Sequence, residues 1–430
     1  MSKRKIILKT KAKQKPAARS SAPTITKKQS ALKSTEPQER TAIECCPHCS
    51  SRDFVKRGLR KNKHQSVQLY KCQNPECYRT FTARTIKGKQ FPWLVVLDAI
   101  SYHNLGYSFA SIPKILKAKR GVAPTPETVA KWYEQYKPLC RFERLRPYAI
   151  KILRVWKEHA AKFGNQVDMV ETVTLAHKQL YRFRYHRPKL ALALEEYKNR
   201  NFTSLMEYLD TISTEVPHRD FPNGERMSEV RSKFDKSNMI VKGKENFATK
   251  LTTFVIQGVV ENKQRHEEVQ RFFIANDSVT VATEVPVSIR KEDVAHLEAV
   301  LKFKVLEEAG FIHLKNRKRK VPFPDVLTGH IDIVQVRNGI VHILDYKPNA
   351  AKEKPIEQLT WYALSLSRLT GLRLFEFKCA WFDEKDYFEF YPLHVVKKLD
   401  RKRRKRVRYK DGSDVFVPND NELKIVKKHE

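Results

Sequence analysis

The stretch GHIDIVQVRNGIVHILDYKP, Gly329–Pro348, places an acid inside each of two apolar runs, at Asp332 and at Asp345, with Lys347 two residues after the second. Between the runs stands Asn338-Gly339, the strongest short hairpin signal, because both central residues of a type I′ turn need positive φ. If these two form the loop, Arg337 pairs with Ile340, Asp332 faces Asp345 and His330 faces Lys347. Facing residues have Cβ atoms roughly 4.5–5.5 Å apart, where two ionised carboxylates repel. Two aspartates so placed call for a cation between them.

Residues two apart on a strand share a face, so Lys347 projects beside Asp345. That face continues as Val334 with Ile343 and Val336 with Val341, while Ile333 and Leu344 lie on the other. Strands apolar on both faces belong to a central sheet covered by helices, and the carboxylates then sit where one face opens. A hard divalent ion held by carboxylate oxygens, with solvent left in its shell, is what Mg²⁺ or Mn²⁺ chemistry on phosphates uses. A neighbouring ammonium can orient the attacking water or stabilise the developing charge.

These residues carry a resemblance. GHIDIV followed by ILDYKP is similar to the core motif of the PD-(D/E)XK nucleases, especially the RecB-like branch, whose second element typically reads Asp-Tyr-Lys. Downstream, EQLTWYALSLS sets Gln358 and Tyr362 where that branch has a Gln-x3-Tyr helix. Upstream, GVVENKQRHEEVQRFF resembles the family's first helix, whose histidine is matched by His266, and the strand VATEVPVSI with Glu284 follows in the family's order. The resemblance spans residues 250–395. It implies a central mixed sheet flanked by helices and a Mg²⁺- or Mn²⁺-dependent deoxyribonuclease. In it Asp332, Asp345, His266 and the Tyr346 carbonyl would hold the metal, Lys347 would serve the water, and Gln358 and Tyr362 would support DNA. Pro348 departs from the small polar residue usual after the lysine.

The rest of the chain points the same way. Its 430 residues exceed the roughly 250–300 at which single cores stop growing, so a multidomain chain is expected. The 84 Lys+Arg against 48 Asp+Glu leave a charge of +36, a field that attracts a polyanion, and DNA is the expected partner. No apolar run approaches the roughly 20 residues of a spanning helix, which argues against a membrane partner. The basic N-terminus lacks the apolar core of a secretory signal. A cytoplasmic protein is expected, with association to the nucleoid compatible with the charge.

Seven cysteines, five of them between Cys45 and Cys77, suit a metal site better than a disulfide framework. Cys46-x2-Cys49 and Cys72-x4-Cys77 place four thiolates in two close pairs, the pattern of structural Zn²⁺, with Cys45 a spare, or an alternative ligand if the register shifts by one, and His48 a bystander. CPHC, the basic KRGLRKNKHQSVQLYKC and RTFT resemble the zinc ribbons at the N-terminus of many transposases, which bind DNA or hold a partner. After them, a helix from about Leu94, a turn near Gly106, a short helix through Ile112 and Leu116 and a stop at Gly121 lead to Thr125, a cap with Pro126 in the first turn. Val129, Trp132 and Tyr136 form the buried stripe of that last helix and leave Glu127, Thr128 and Lys131 exposed. The arrangement resembles the helix-turn-helix of transposase-like proteins, whose exposed N-terminal positions, here Thr128 and Lys131, would enter the major groove.

The expected organisation is a disordered basic arm over 1–40, a zinc ribbon over 41–85 and an all-α helix-turn-helix over 86–140. A helical connecting region without chemistry of its own follows over 141–245, then the α/β nuclease core over 246–396 and a basic segment over 397–430. A homodimer or a mobile-element partner protein would complete such a machine. Two other readings stay open: a DNA-binding regulator or scaffold that keeps a nuclease fold without cutting, and a transposase subunit. A DDE transposase would need a third acid on a helix far downstream and no strand lysine.

Overall fold

The computed structural model describes residues 45–46, 48–61, 66–82, 91–198, 202–231, 241–242, 246–259, 262–302, 304–306, 308, 310–315, 317, 319–396, 404–408 and 414–418. The expected arm over 1–40 lies outside the described residues, as does most of the basic segment over 397–430.

The cysteines sit on a small three-stranded antiparallel sheet, β1 (Phe54–Lys61), β2 (Ser66–Cys72) and β3 (Thr80–Thr82), in the order β1-β2-β3. Among the described residues its core cluster is Cys46, Tyr70, Cys72 and Phe81, with Phe54 edge-on to both Tyr70 and Phe81. So few apolar groups cannot offset the chain entropy of ordering the sheet, which leaves a metal as the natural staple.

Three helices follow: α1 (Trp93–Asn104), α2 (Ile112–Arg120) and α3 (Pro126–Tyr136). Gly121 ends α2 in the left-handed conformation at φ 70°, and the Thr125 hydroxyl caps α3 by accepting from the Thr128 amide at 3.3 Å. The buried stripe of α3 is Val129, Trp132 and Tyr133. Tyr136, expected in that stripe, is half-buried and lies edge-on to Trp93. Thr128 is half-buried and shares its hydroxyl with Thr125 at 3.0 Å, whereas Lys131 is exposed. These helices have no core to themselves. They share one with α7 (Phe247–Ile256), α8 (Asn262–Asn276) and the sheet residues Ile333, Leu344, Tyr346 and Phe382. A buried ionic network joins them further: Asp98 of α1 binds Arg120 of α2 at 2.7 Å and Arg271 of α8, and Arg271 binds Glu268 at 2.8 Å.

The expected helical connecting region over 141–245 also contains strands. The periodic stretches do form α4 (Arg146–Ala161), α5 (Arg187–Glu196) and α6 (Thr203–Glu215). Between the first two, however, β4 (Glu171–His177) and β5 (Gln179–Tyr185) make an antiparallel hairpin that joins the main sheet. Its sequence, ETVTLAH and QLYRFRY, alternates as a strand does, and β-branched and aromatic residues fit a pleated, half-buried surface. Short strands β6 (Glu225–Arg226), β7 (Val230–Arg231) and β8 (Val241–Lys242) complete the region.

The main sheet is mixed and nine-stranded, in the order β4-β5-β9-β12-β13-β14-β15-β8, with β6 lying parallel to β12. Its further strands are β9 (Thr280–Arg290), β12 (Val326–Arg337), β13 (Ile340–Tyr346), β14 (Phe377–Phe382) and β15 (Tyr387–Phe390). The smaller β10 (Phe311–Leu314) and β11 (Val321–Pro322) pair with each other, after α9 (Lys291–Leu301). Helix α10 (Ile356–Thr370) makes the crossover between the parallel strands β13 and β14. Helix α11 (Pro392–Val396) and the antiparallel pair β16 (Arg404–Arg408) and β17 (Asp414–Pro418) follow. One face of the sheet is covered by α7 and α8 and the other by α6 and α10, so β12 and β13 are apolar on both faces.

Candidate active site

The β12–β13 hairpin has the register implied by its turn: Arg337 pairs with Ile340, Val334 with Ile343 and Ile333 with Leu344, and Asn338 and Gly339 have φ of 52° and 66°. The ladder ends at Ile333–Leu344. Beyond it the strands part, so neither the expected facing pair Asp332–Asp345 nor that of His330 with Lys347 is formed in the ladder, and Asp345 pairs instead with Trp381 of β14. His330 pairs with Pro286 of β9, and the Lys347 amide donates to Phe382 O at 3.0 Å. In the opening, Asp332 Oδ2 accepts from the Tyr346 amide at 3.1 Å, and the two carboxyls are near enough to shift each other's protonation.

Burial is the largest influence on both acids. It pushes Asp345 well above the ordinary carboxyl range, with the Asp332 charge adding to it, and raises Asp332 to about 6 with help from Glu284. Lys347 Nζ lies 3.0 Å from Asp345 Oδ2. Burial works against its ammonium, but Asp345 and Asp332 more than offset this, so the lysine stays charged. His266 Nδ1, from α8, is 3.4 Å from Asp332 Oδ2, and its ring stands edge-on to Tyr346 at 5.0 Å. Burial lowers the pKa of His266 and favours the neutral ring that can bind a metal.

The 3.6-residue period of α8 assigns its side chains to three surroundings. His266, Glu267 and Gln270 line a cleft, Val269, Phe272 and Phe273 enter the core, and Glu268 and Arg271 turn to α1 and α2. Gln270 holds Glu284 through a 2.7 Å bond from Nε2 to Oε1. Glu284 stands in β9 with φ of 52°, a left-handed conformation that a non-glycine residue adopts at a cost of order 1–3 kcal/mol. The β9–β12 ladder is interrupted there, between Val285–Ile331 and Thr283–Ile333, so Glu284 and Asp332 share one gap. Burial first, then the nearby Asp345 and Glu267, raise Glu284 to about 7.

The cleft has a volume of about 660 Å³ and is lined by Asp332, Glu284, His266, Lys347, Gln358 and Tyr362 together with residues of the β4–β5 hairpin. Gln358 Nε2 donates to the Tyr362 hydroxyl at 2.8 Å. The cleft therefore gathers Asp332 and His266 of the residues expected at the metal, together with Lys347, Gln358 and Tyr362, whereas Asp345 and Tyr346 are buried and are not among its lining residues. Thr128 and Lys131 are not among its lining residues. Sequence reading missed Arg182 and Arg184, which bind Glu267 (Arg184 Nη2 at 3.0 Å), and also His177, Tyr181 and His330. The period-2 pattern of QLYRFRY was the available signal for the hairpin residues.

Away from this cleft, Cys46, Cys49, Cys72 and Cys77 bring their sulfurs within 4.8 Å of one another, an arrangement that could hold a metal ion such as zinc. Pairs at 3.9 Å (Cys46–Cys77) and 3.5 Å (Cys49–Cys72) bracket the spacing of roughly 3.8 Å that tetrahedral Zn–S bonds of about 2.3 Å require. Cys45 is exposed, and His48 touches the cluster only through its amide, 3.5 Å from Cys46 Sγ. Among the described residues no helix is long and apolar enough to cross a membrane. No family model, curated protein or solved structure matches this chain.

Proposed function

We propose that the protein is a metal-dependent DNA nuclease that hydrolyses phosphodiester bonds, the chemistry of the PD-(D/E)XK nucleases that its motif order resembles. The observation that carries the reading is the neighbouring acids Asp332, on the cleft, and Asp345, buried beside it, with Lys347 Nζ 3.0 Å from Asp345 and His266 Nδ1 3.4 Å from Asp332. A buried pair of acids is electrostatically unfavourable without a cation, and two carboxylates plus an imidazole suit Mg²⁺ or Mn²⁺. Asp332, Asp345 and His266, with the Tyr346 carbonyl, would hold the ion, which would supply a polarised phosphate and an activated water.

The chain's own groups do the rest. Lys347 carries the positive charge that stabilises the negative charge developing on the phosphoryl oxygens and orients the water. Gln358 and Tyr362 place donors along the cleft wall for the DNA backbone. The cysteine-bearing sheet would act as a zinc ribbon, and α1–α3 as a helix-turn-helix that presents Lys131 to DNA, with Thr128 already engaged in the cap. A net charge of +36 supports a nucleic-acid partner. A mobile-element or genome-defence setting would join such a reader to such a cutter.

The test is cleavage of linear, circular, single-stranded and branched DNA in Mg²⁺ or Mn²⁺ by wild type and Asp345→Ala. Wild type should cut at least one substrate and the variant none. Equal cutting by both, or none by either, removes the enzymatic reading and leaves a DNA-binding regulator that retains the fold.

A further inference from the structure

Three histidines form a chain beside the acids. His218 Nε2 lies 2.9 Å from the carbonyl oxygen of Ile212, His218 Nδ1 lies 2.8 Å from His177 Nε2, and His177 Nδ1 lies 2.8 Å from His330 Nε2. Each ring is clamped by an aromatic neighbour or by the chain itself: Phe221 stacks on His177 at 4.0 Å, and Tyr181 on His330 at 3.6 Å and 6°.

The bonding of the chain has a direction. A carbonyl oxygen can only accept, so His218 Nε2 must carry hydrogen. In a neutral ring Nδ1 is then an acceptor, which requires His177 to donate from Nε2. The same step repeated requires His330 to donate from Nε2 to His177 Nδ1. One backbone carbonyl thus fixes three tautomers, and the last ring is left with a bare Nδ1. Among the described residues nothing hydrogen-bonds that nitrogen, and His330 lines the cleft.

His330 stands two residues before Asp332 on β12, so the two side chains share a face, with Cα atoms roughly 7 Å apart. Tyr181, stacked on His330, also feels the charges of Glu284 and Asp332. A phosphodiester has no hydrogen to donate to a bare imidazole nitrogen, whereas water does. We propose that His330 orients the attacking water by accepting its hydrogen bond at Nδ1, and that His177 and His218 are positioning residues that hold the tautomer able to do so. The proposal rests on the nuclease reading. It places a neutral acceptor beside the water and leaves the positive charge to Lys347. Burial holds His177, the middle ring of the chain, at about 4, so it is neutral near pH 7.

The experiment has two parts on the full chain. Histidine-selective ¹⁵N labelling of the metal-free protein reads tautomers directly, without activity. His330, His177 and His218 should each show hydrogen on Nε2 and a bare Nδ1, and His218→Phe should release His330 into a tautomer mixture. In DNA cleavage, His330→Phe should lower kcat roughly tenfold, the weight of one hydrogen bond, with KM unchanged. His330→Asn, which keeps an acceptor oxygen near the place of Nδ1, should recover part of the loss. Hydrogen on His330 Nδ1, or wild-type kcat in His330→Phe, overturns the proposal while the nuclease reading stands. If Asp345→Ala cuts as wild type does, or wild type cuts nothing, the nuclease reading fails and the water-orienting role with it, whatever the tautomers.

Discussion

A Cβ atom on Gly329 would lie 2.4 Å from Tyr362 Cε1, so the backbone of β12 and the tyrosine of α10 meet where only glycine leaves room. The same Tyr362 receives the Gln358 hydrogen bond, and the two form one wall of the cleft. Gly329→Ala should therefore overpack this contact and cost about 1–3 kcal/mol. Urea denaturation should show a lower midpoint at unchanged m, and cleavage should fall with it. Tyr362→Phe keeps the ring, loses only the hydroxyl, and should leave stability within about 1 kcal/mol of wild type. A Gly329→Ala protein as stable as wild type would mean that the ring is not fixed there.

The acids make metal-free stability fall with rising pH. Asp332 at about 6 and Glu284 at about 7 lie above their unfolded values, so the folded protein binds more protons between the two sets of pKa values. Stability from these groups is full below the unfolded values, near pH 4, and declines as pH rises through about 7. Glu284→Gln removes one source of repulsion. Its midpoint should match wild type at pH 5 and exceed it at pH 8, by up to about 3 kcal/mol at about 1.4 kcal/mol per unit. Mg²⁺ should raise the wild-type melting temperature more at pH 8 than at pH 5. A wild type that gains stability from pH 5 to 8 relative to Glu284→Gln would contradict this.

Asp98 is buried among Arg120, Lys119 and Arg271, and links α1 and α2 to the helix that carries His266. Burial raises the Asp98 carboxyl, but Arg271 and Arg120 more than offset this and hold it below its ordinary value. Asp98→Ala would leave the half-buried Arg120 and Arg271 to share Glu268, at a cost toward the lower end of about 3–5 kcal/mol. Chemical denaturation should show that loss in a single transition, because α1–α3 and α7–α8 share one core. Two separate transitions, with the helices melting first, would mean that they form an independent unit.

The cysteine cluster predicts one bound zinc by elemental analysis, lost in Cys72→Ser. Chelation should expose residues 46–82 to proteolysis and leave the main sheet protected, because the small sheet has a small core among its described residues and a metal would supply much of its folding energy. Full protection of that segment in a metal-free protein would show that it folds without an ion.

The sequence by itself determined what local rules govern. Asn338-Gly339 requires positive φ, and this one constraint set the register that brings Asp332 toward Asp345 with Lys347 beside them. Cysteine spacing anticipated the four-sulfur cluster, and Thr125-Pro126 marked the start of α3. Tertiary structure decided what depends on residues far apart in the chain. The strand pair ends at Ile333–Leu344, where Asp332 takes the Tyr346 amide and the strands part, and no nearest-neighbour pattern announces that break. The period-2 stretch ETVTLAH and QLYRFRY joins the sheet only because β5 finds Thr283 and Ala282 of β9, about a hundred residues on. Glu284 faces the cleft from a break in the β9–β12 ladder, where Gln270 and a left-handed backbone hold it. The histidine chain joins residues 177, 218 and 330, whose hydrogen-bond direction follows from a single carbonyl in α6. Local propensity and alternation act over a few residues, whereas burial, charge coupling and tautomer choice follow from which distant groups the fold brings within about 3 Å.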